Sequence, residues 1–186
     1  MDCRSLLFFA RRHRDFNMRL YRKVLSQNRE LTDSCATPES KKLHRMYSSV
    51  SRCLCKAQGF TRLDVSGKTL YGLVDLEHDV MDLLLSHFRR RYPGYEIALE
   101  NKKKTHVIDV YGGVKVHDMG VNSYLGLGTT PPDSIDPLFS TYYVSQNIRE
   151  RRNTKLMDKM MPKLHSRRNH VEHLVNNAGV KITDYL

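Results

Sequence analysis

His78-Asp79 is the first grouping in this chain whose residue types and setting could do chemistry. The pair follows the apolar run Leu70-Tyr71-Gly72-Leu73-Val74 and precedes a helical pattern, so it reads as a helix start. Helix N-termini expose unpaired N–H groups and partial positive charge. An imidazole there could meet a phosphate or act as general acid or base. The plain alternative is that Asp75, Glu77 and Asp79 complement the helix dipole while His78 lies half buried. Asp109 and Asp118, on neighbouring strands, would suit Mg²⁺-dependent nuclease work if they converged, although strand-end acids more often face water. Among the nine histidines, His78 and His87 point to opposite sides of one helix. His170 and His173 could share a face, but with no third ligand nearby, and Cys53 and Cys55 diverge on a helix. Gly126-Leu127-Gly128 lacks the third glycine of a phosphate-cradling loop, and no G-x-S-x-G elbow occurs. The pattern implies no metal and no cofactor.

A stronger signal is cationic. Arg149, Arg151, Arg152, Lys155, Lys159 and Lys163 crowd one segment, and Arg152, Lys155, Lys159 and Lys163 step by three and four. On a helix that spacing makes one stripe, which can follow a row of phosphates. Lys102-Lys103-Lys104 at a hairpin tip is a second phosphate contact, or simply a soluble turn. Tyr111, Tyr124, Tyr142 and Tyr143 offer rings for stacking on bases, or half-buried packing. Two more basic stretches stand upstream. Residues 4–29 hold Arg4, Arg11, Arg12, Arg14, Arg19, Arg22, Lys23 and Arg29 against a single acid, Asp15. Residues 41–56 hold Lys41, Lys42, Arg45, Arg52 and Lys56 with no acid at all.

The elements that must position these groups follow from periodicity. Leu7, Phe8, Phe16, Leu20, Val24 and Leu25 predict an amphipathic helix over Arg4–Arg29. Thr37 as N-cap with Pro38 at the first position starts a second helix, expected to stop at Gly59. Strands are predicted at Phe60–Val65, Thr69–Val74, Tyr95–Leu99, His106–Tyr111 and Val114–His117, with a helix at Asp75–Arg91. The order strand, strand, helix, strand, strand, strand implies an α+β fold. Its antiparallel sheet is flanked by N- and C-terminal helices. One domain is expected over residues 1–186. It comprises a helical N-terminal region (1–58), an α+β core (59–118), a long loop (119–137) and a basic helical C-terminal region (138–186).

With 31 Lys+Arg against 20 Asp+Glu the net charge is +11, while 40% apolar and 27% charged residues are ordinary globular values. No apolar run is long enough for a membrane helix. Leu6–Ala10 is too short for a signal peptide, and its arginines follow it rather than precede it. Four cysteines without an export signal suggest free thiols in a reducing compartment, hence an intracellular, cytoplasmic protein with no membrane partner. An excess of this size points to a polyanion partner.

Four collinear stretches resemble a bacterial family of uncharacterised DNA-metabolism proteins. They are Gly59-Phe60-Thr61-Arg62, Leu70-Tyr71-Gly72-Leu73-Val74-Asp75-Leu76-Glu77-His78-Asp79-Val80, His87-Phe88-Arg89-Arg90-Arg91-Tyr92-Pro93, and Glu150-Arg151-Arg152-Asn153 through Met161-Pro162-Lys163. The chain departs from that family at Leu76-Glu77, where a proline is usual, and at Leu164-His165, where an aromatic is usual. The resemblance covers about residues 45–165. It implies a DNA-repair or DNA-metabolism setting, beside a radical-SAM partner or fused to a uracil-DNA-glycosylase-like module, and adds Arg62 to the expected nucleic-acid contacts.

Together these observations predict a protein that binds nucleic acid, DNA before RNA, through its phosphate backbone. Two other classes stay open. One is an enzyme acting on DNA with His78 and Asp79 as its reactive pair. The other is an interaction module that docks an acidic protein, such as a repair enzyme.

Overall fold

The computed structural model of the protein describes residues 3–27, 29–127, 145–146, 148 and 153–160. The chain divides into two compact units, Met1–Val121 and Asn122–Leu186. In the first, helices α1 (Cys3–Ala10), α2 (Met18–Leu25), α3 (Arg29–Asp33) and α4 (Pro38–Phe60) precede strands β1 (Asp64–Ser66) and β2 (Thr69–Val74). Helix α5 (Met81–Arg91) and strands β3 (Glu96–Asn101), β4 (Lys104–Ile108) and β5 (Val114–His117) follow. A short turn of helix, α6 (Val121–Tyr124), comes next, and the second unit's described residues also include α7 (Thr154–Met160).

The fold is α+β, with a five-stranded sheet in the order β1-β2-β3-β4-β5. Three of its four pairings are antiparallel, but β2 and β3 run parallel, with Leu70 opposite Ile97 and Gly72 opposite Leu99. A strand that leaves through a helix and returns beside its starting point re-enters in the same direction, and α5 is that crossover. The β3–β4 hairpin turns through Lys102 and Lys103, both in the left-handed region at φ 51° and 65°. Positive φ at both central residues is the type I′ pattern that suits the twist of a hairpin.

The N-terminal helix predicted over Arg4–Arg29 is two helices, α1 and α2, and a third, α3, starts only at Arg29. Asn17 adopts an extended backbone, and its Oδ1 accepts the Arg19 N–H at 2.8 Å, so α2 starts afresh there. The charged turn Arg11–Asp15 between α1 and α2 carries no apolar residue that would commit it to helix. α3 closes with a Schellman arrangement. The Ala36 N–H reaches Leu31 O, the Cys35 N–H reaches Thr32 O, and Cys35 takes φ 54°. α4 begins as predicted: Thr37 Oγ1 accepts the Ser40 N–H and Ser40 Oγ accepts the Thr37 N–H, each at 3.2 Å. It runs past Gly59 to Phe60, where Thr61 donates Oγ1–H to Ala57 O at 2.6 Å and closes it.

Two cores hold the first unit together. The larger lies between one face of the sheet (Leu70, Val74, Ile97, Leu99, Ile108) and helices α4 and α5 (Val50, Leu54, Leu84, Leu85, Phe88). Each such side chain contributes about 1.5–3 kcal/mol on burial. The smaller joins α1, α2 and α4 through Leu6, Ala10, Val24, Leu43 and Met46. α4 belongs to both, so its inner face is fully used and its outer face is left for other work. No described helix is long and apolar enough to cross a membrane.

Candidate nucleic-acid interface

His78 does not stand at the start of the central helix. α5 begins at Met81 with Val80 as a cap that offers no side-chain bond, and the acid in its first turn is Asp82. Asp75, Glu77 and Asp79 therefore lie in the β2–α5 loop rather than on the helix dipole. His78 is only 4% exposed. Its Nε2 lies 2.9 Å from Ser49 Oγ on α4, and its Nδ1 receives the Arg14 N–H at 3.5 Å. The His13 ring lies against it with centroids 4.4 Å apart. With a backbone donor at Nδ1, the ring proton belongs on Nε2 and is donated to Ser49. Burial, then the neighbouring His13, pushes the His78 pKa down, so the ring is neutral at pH 7.

Asp79 is exposed, and among the described residues its carboxylate makes no hydrogen bond or ion pair with that cluster. Its charge acts instead on His106 of β4, opposing the downward push that burial gives that ring. The structure thus separates the two members of the sequence pair. The cluster around His78 ties the Arg11–Asp15 turn to the body. Arg12 Nη2 meets Asp82 Oδ2 at 2.6 Å, Arg14 Nη1 meets Glu77 Oε1 at 3.3 Å, and the Asp79 N–H donates to Arg12 O.

The acids Asp109 and Asp118 are each engaged elsewhere. Asp109 Oδ1 accepts the N–H groups of Tyr111 and Gly113 at 2.8 Å, and these bonds, Gly113's first, hold its pKa down. Asp118 pairs with Lys104 Nζ at 2.8 Å. That hydrogen bond lowers the Asp118 pKa and raises that of Lys104. Among the described residues no group of three His, Cys, Asp or Glu is placed to hold a metal. Cys35, Cys53 and Cys55 are free thiols.

The expected cationic contacts divide. Lys102 and Lys103 are exposed at the tip of the β3–β4 hairpin, beside the paired Lys104. Arg62 Nε lies 3.6 Å from Asp64 Oδ1 at the start of β1. Lys155 and Lys159, four apart and exposed, share a face of α7, where Asn153 Oδ1 accepts the Leu156 N–H. Arg149, Arg151, Arg152 and Lys163 lie outside the described residues, as do Tyr142, Tyr143, His170 and His173. Tyr111 is 91% exposed at the β4–β5 turn, and Tyr124 is half-buried.

The acid-free stretch 41–56 proves to be the outer face of α4. Lys41, Arg45, Ser48 and Arg52 recur at four, three and four residues, opposite the buried Leu43, Met46, Val50 and Leu54. They line a shallow, open groove of about 700 Å³ that His44, Tyr47, Ser51 and Cys35 also line, and among the described residues no carboxylate lines it. The Schellman turn brings Cys35 to its wall, and His44 secures that wall through Nε2 to Thr32 O at 3.2 Å. Arg52 is steadied by an Nε–H bond to Ser48 O at 3.1 Å, which leaves both terminal nitrogens for a ligand. Among the described residues no acid pairs with Lys41, Arg45 or Arg52. Three cations and the hydroxyls of Tyr47, Ser48 and Ser51 around one open depression have the chemistry to receive a multiply charged anion. The sequence carries this signal in the missing acids of 41–56, but the longer basic row at 149–168 outweighs it on spacing alone.

No curated protein matches the chain, and no solved structure does. The pattern of a domain family of unknown function, DUF4130, matches residues 11–172, and the chain belongs to that family.

Proposed function

We propose that the protein binds DNA through its phosphate backbone, with the outer face of α4 as a principal contact surface. The observation that carries this reading is the groove lined by Lys41, Arg45 and Arg52, with no carboxylate among its described lining residues. Phosphates attract such a surface without regard to base identity, and release of their counterions drives binding. The exposed Lys102 and Lys103, and Lys155 and Lys159 of the second unit, supply further cations of the same kind. A setting in DNA repair or metabolism is supported by the four stretches from Gly59 to Lys163 that resemble DNA-metabolism proteins. A radical-SAM or glycosylase-like partner belongs to that proposal. The reactive pair His78–Asp79 receives no comparable support, because both nitrogens of the buried imidazole are occupied.

Fluorescence anisotropy with labelled oligonucleotides across a salt series tests the reading. The variant Lys41→Ala/Arg45→Ala/Arg52→Ala keeps helix-favouring residues on α4. It should lower the slope of log K against log salt by about 2 on single-stranded DNA, at about 0.7 per lost phosphate contact. An unchanged slope removes α4 from the interface. Failure of the wild-type chain to bind any oligonucleotide at low salt rejects the DNA reading. The cations would then belong to an acidic protein surface.

A further inference from the structure

We infer that the α4 groove takes a single strand rather than a duplex, with an unstacked base resting against Tyr47 and phosphates along Lys41, Arg45 and Arg52. This deepens the nucleic-acid reading above and rests on it. Charge supports it first. Lys41, Arg45 and Arg52 line one shallow, open depression on α4, with Cys35 of the α3–α4 turn at its edge, and a row of cations of this kind can track the backbone of a flexible strand.

Composition supports it second. The groove sets a ring among cations and hydroxyls, the combination that holds single strands: charge tracks the backbone while an aromatic face carries a base. Tyr47 is the ring. Phe9 meets it almost perpendicularly, at 81° and 5.4 Å between centroids, and fixes it in place, while it also borders the groove. Ser48 and Ser51 add neutral partners for phosphate or sugar oxygens. The rise along α4 from Lys41 to Arg52 is about 16 Å at 1.5 Å per residue, room for a few nucleotides.

The test uses the full chain, a labelled dT oligonucleotide and a duplex of the same length. The single strand should bind more tightly, and Tyr47→Leu should weaken it about tenfold or more, the scale of one lost base–aromatic stack. Tyr47→Phe, which keeps the ring, should restore it, and duplex affinity should be the same in all three proteins. Cys35 at the groove wall gives a readout that needs no variant at position 47. Its alkylation rate by iodoacetamide, followed by peptide mass spectrometry, should fall with the dT oligonucleotide and hold steady with the duplex. Equal affinity for both forms, no effect of Tyr47→Leu on single-strand binding, or no protection of Cys35 by the single strand overturns the inference and leaves backbone binding standing. Absence of binding to either form overturns both.

Discussion

Lys102 and Lys103 occupy the two left-handed positions of the β3–β4 turn, at φ 51° and 65°. For a residue with a Cβ this conformation costs about 1–2 kcal/mol, because Cβ approaches the following carbonyl. Asparagine tolerates it better and glycine adopts it freely, which is why Asn-Gly dominates such turns. The double variant Lys102→Asn/Lys103→Gly should therefore stabilise the fold. Glycine returns some of the gain, about 0.5–1 kcal/mol, through the greater freedom of the unfolded chain. The net is about 1 kcal/mol, or a Tm rise of about 2–4 °C for a chain of this size. Thermal unfolding followed by circular dichroism reads it directly. Gly67→Ala is the matched control. Gly67 holds φ 58° in the β1–β2 turn with open space around it, so a Cβ there brings strain alone and should lower Tm. The two lysines are also exposed cations, so on duplex DNA the stabilised variant should lose up to about 1.8 of its salt slope. A Tm that stays level or falls in the double variant would refute the strain argument and show that the lysine side chains repay their backbone cost within the turn.

The buried His78 predicts a pH dependence of stability. Its folded pKa is depressed below the ordinary 6.5, chiefly by burial, so the unfolded chain binds more protons near that pH. Stability is then fully present above about 6.5 and declines as pH falls through that value towards the folded pKa. His106 is depressed by burial too and contributes in the same direction. In urea titrations from pH 8 to pH 5, His78→Gln should show a shallower loss, and an unaltered profile would refute the assignment. Gly72→Ala should destabilise by about 1–3 kcal/mol, because the added Cβ would stand 2.7 Å from the backbone oxygen of Arg62 and force β2 or its neighbour to shift. A normal urea midpoint for Gly72→Ala would show that the contact relaxes without cost.

Most elements of the first unit are legible in the sequence because their signals are local. Thr37, Pro38 and Ser40 specify the start of α4 through bonds spanning three residues, and β2 is outlined by the apolar cluster from Leu70 to Val74 after the turn signal Ser66-Gly67-Lys68. The break between α1 and α2 is hidden because the apolar period bridges it, and Asn17 outweighs that period only through one capping bond. Gly59 carries the signal of a stop, yet Phe60 still takes helical geometry and Thr61 supplies the closing bond. The site is less legible than the fold. His78 has the sequence setting of an accessible residue at a helix start, but its burial depends on Ser49, twenty-nine positions away, and on the turn at His13–Arg14.

Charge, element types and the acid-free face of α4 are properties of composition and of spacing within four residues, so the amino-acid order alone establishes them. The parallel pairing of β2 with β3, the separation of His78 from Asp79 and the meeting of Lys41, Arg45 and Arg52 with Cys35 around one open groove are of another kind. They depend on where segments distant in sequence come to lie. Burial of apolar faces sets those positions through the summed contacts of both cores, and no local pattern contains that sum.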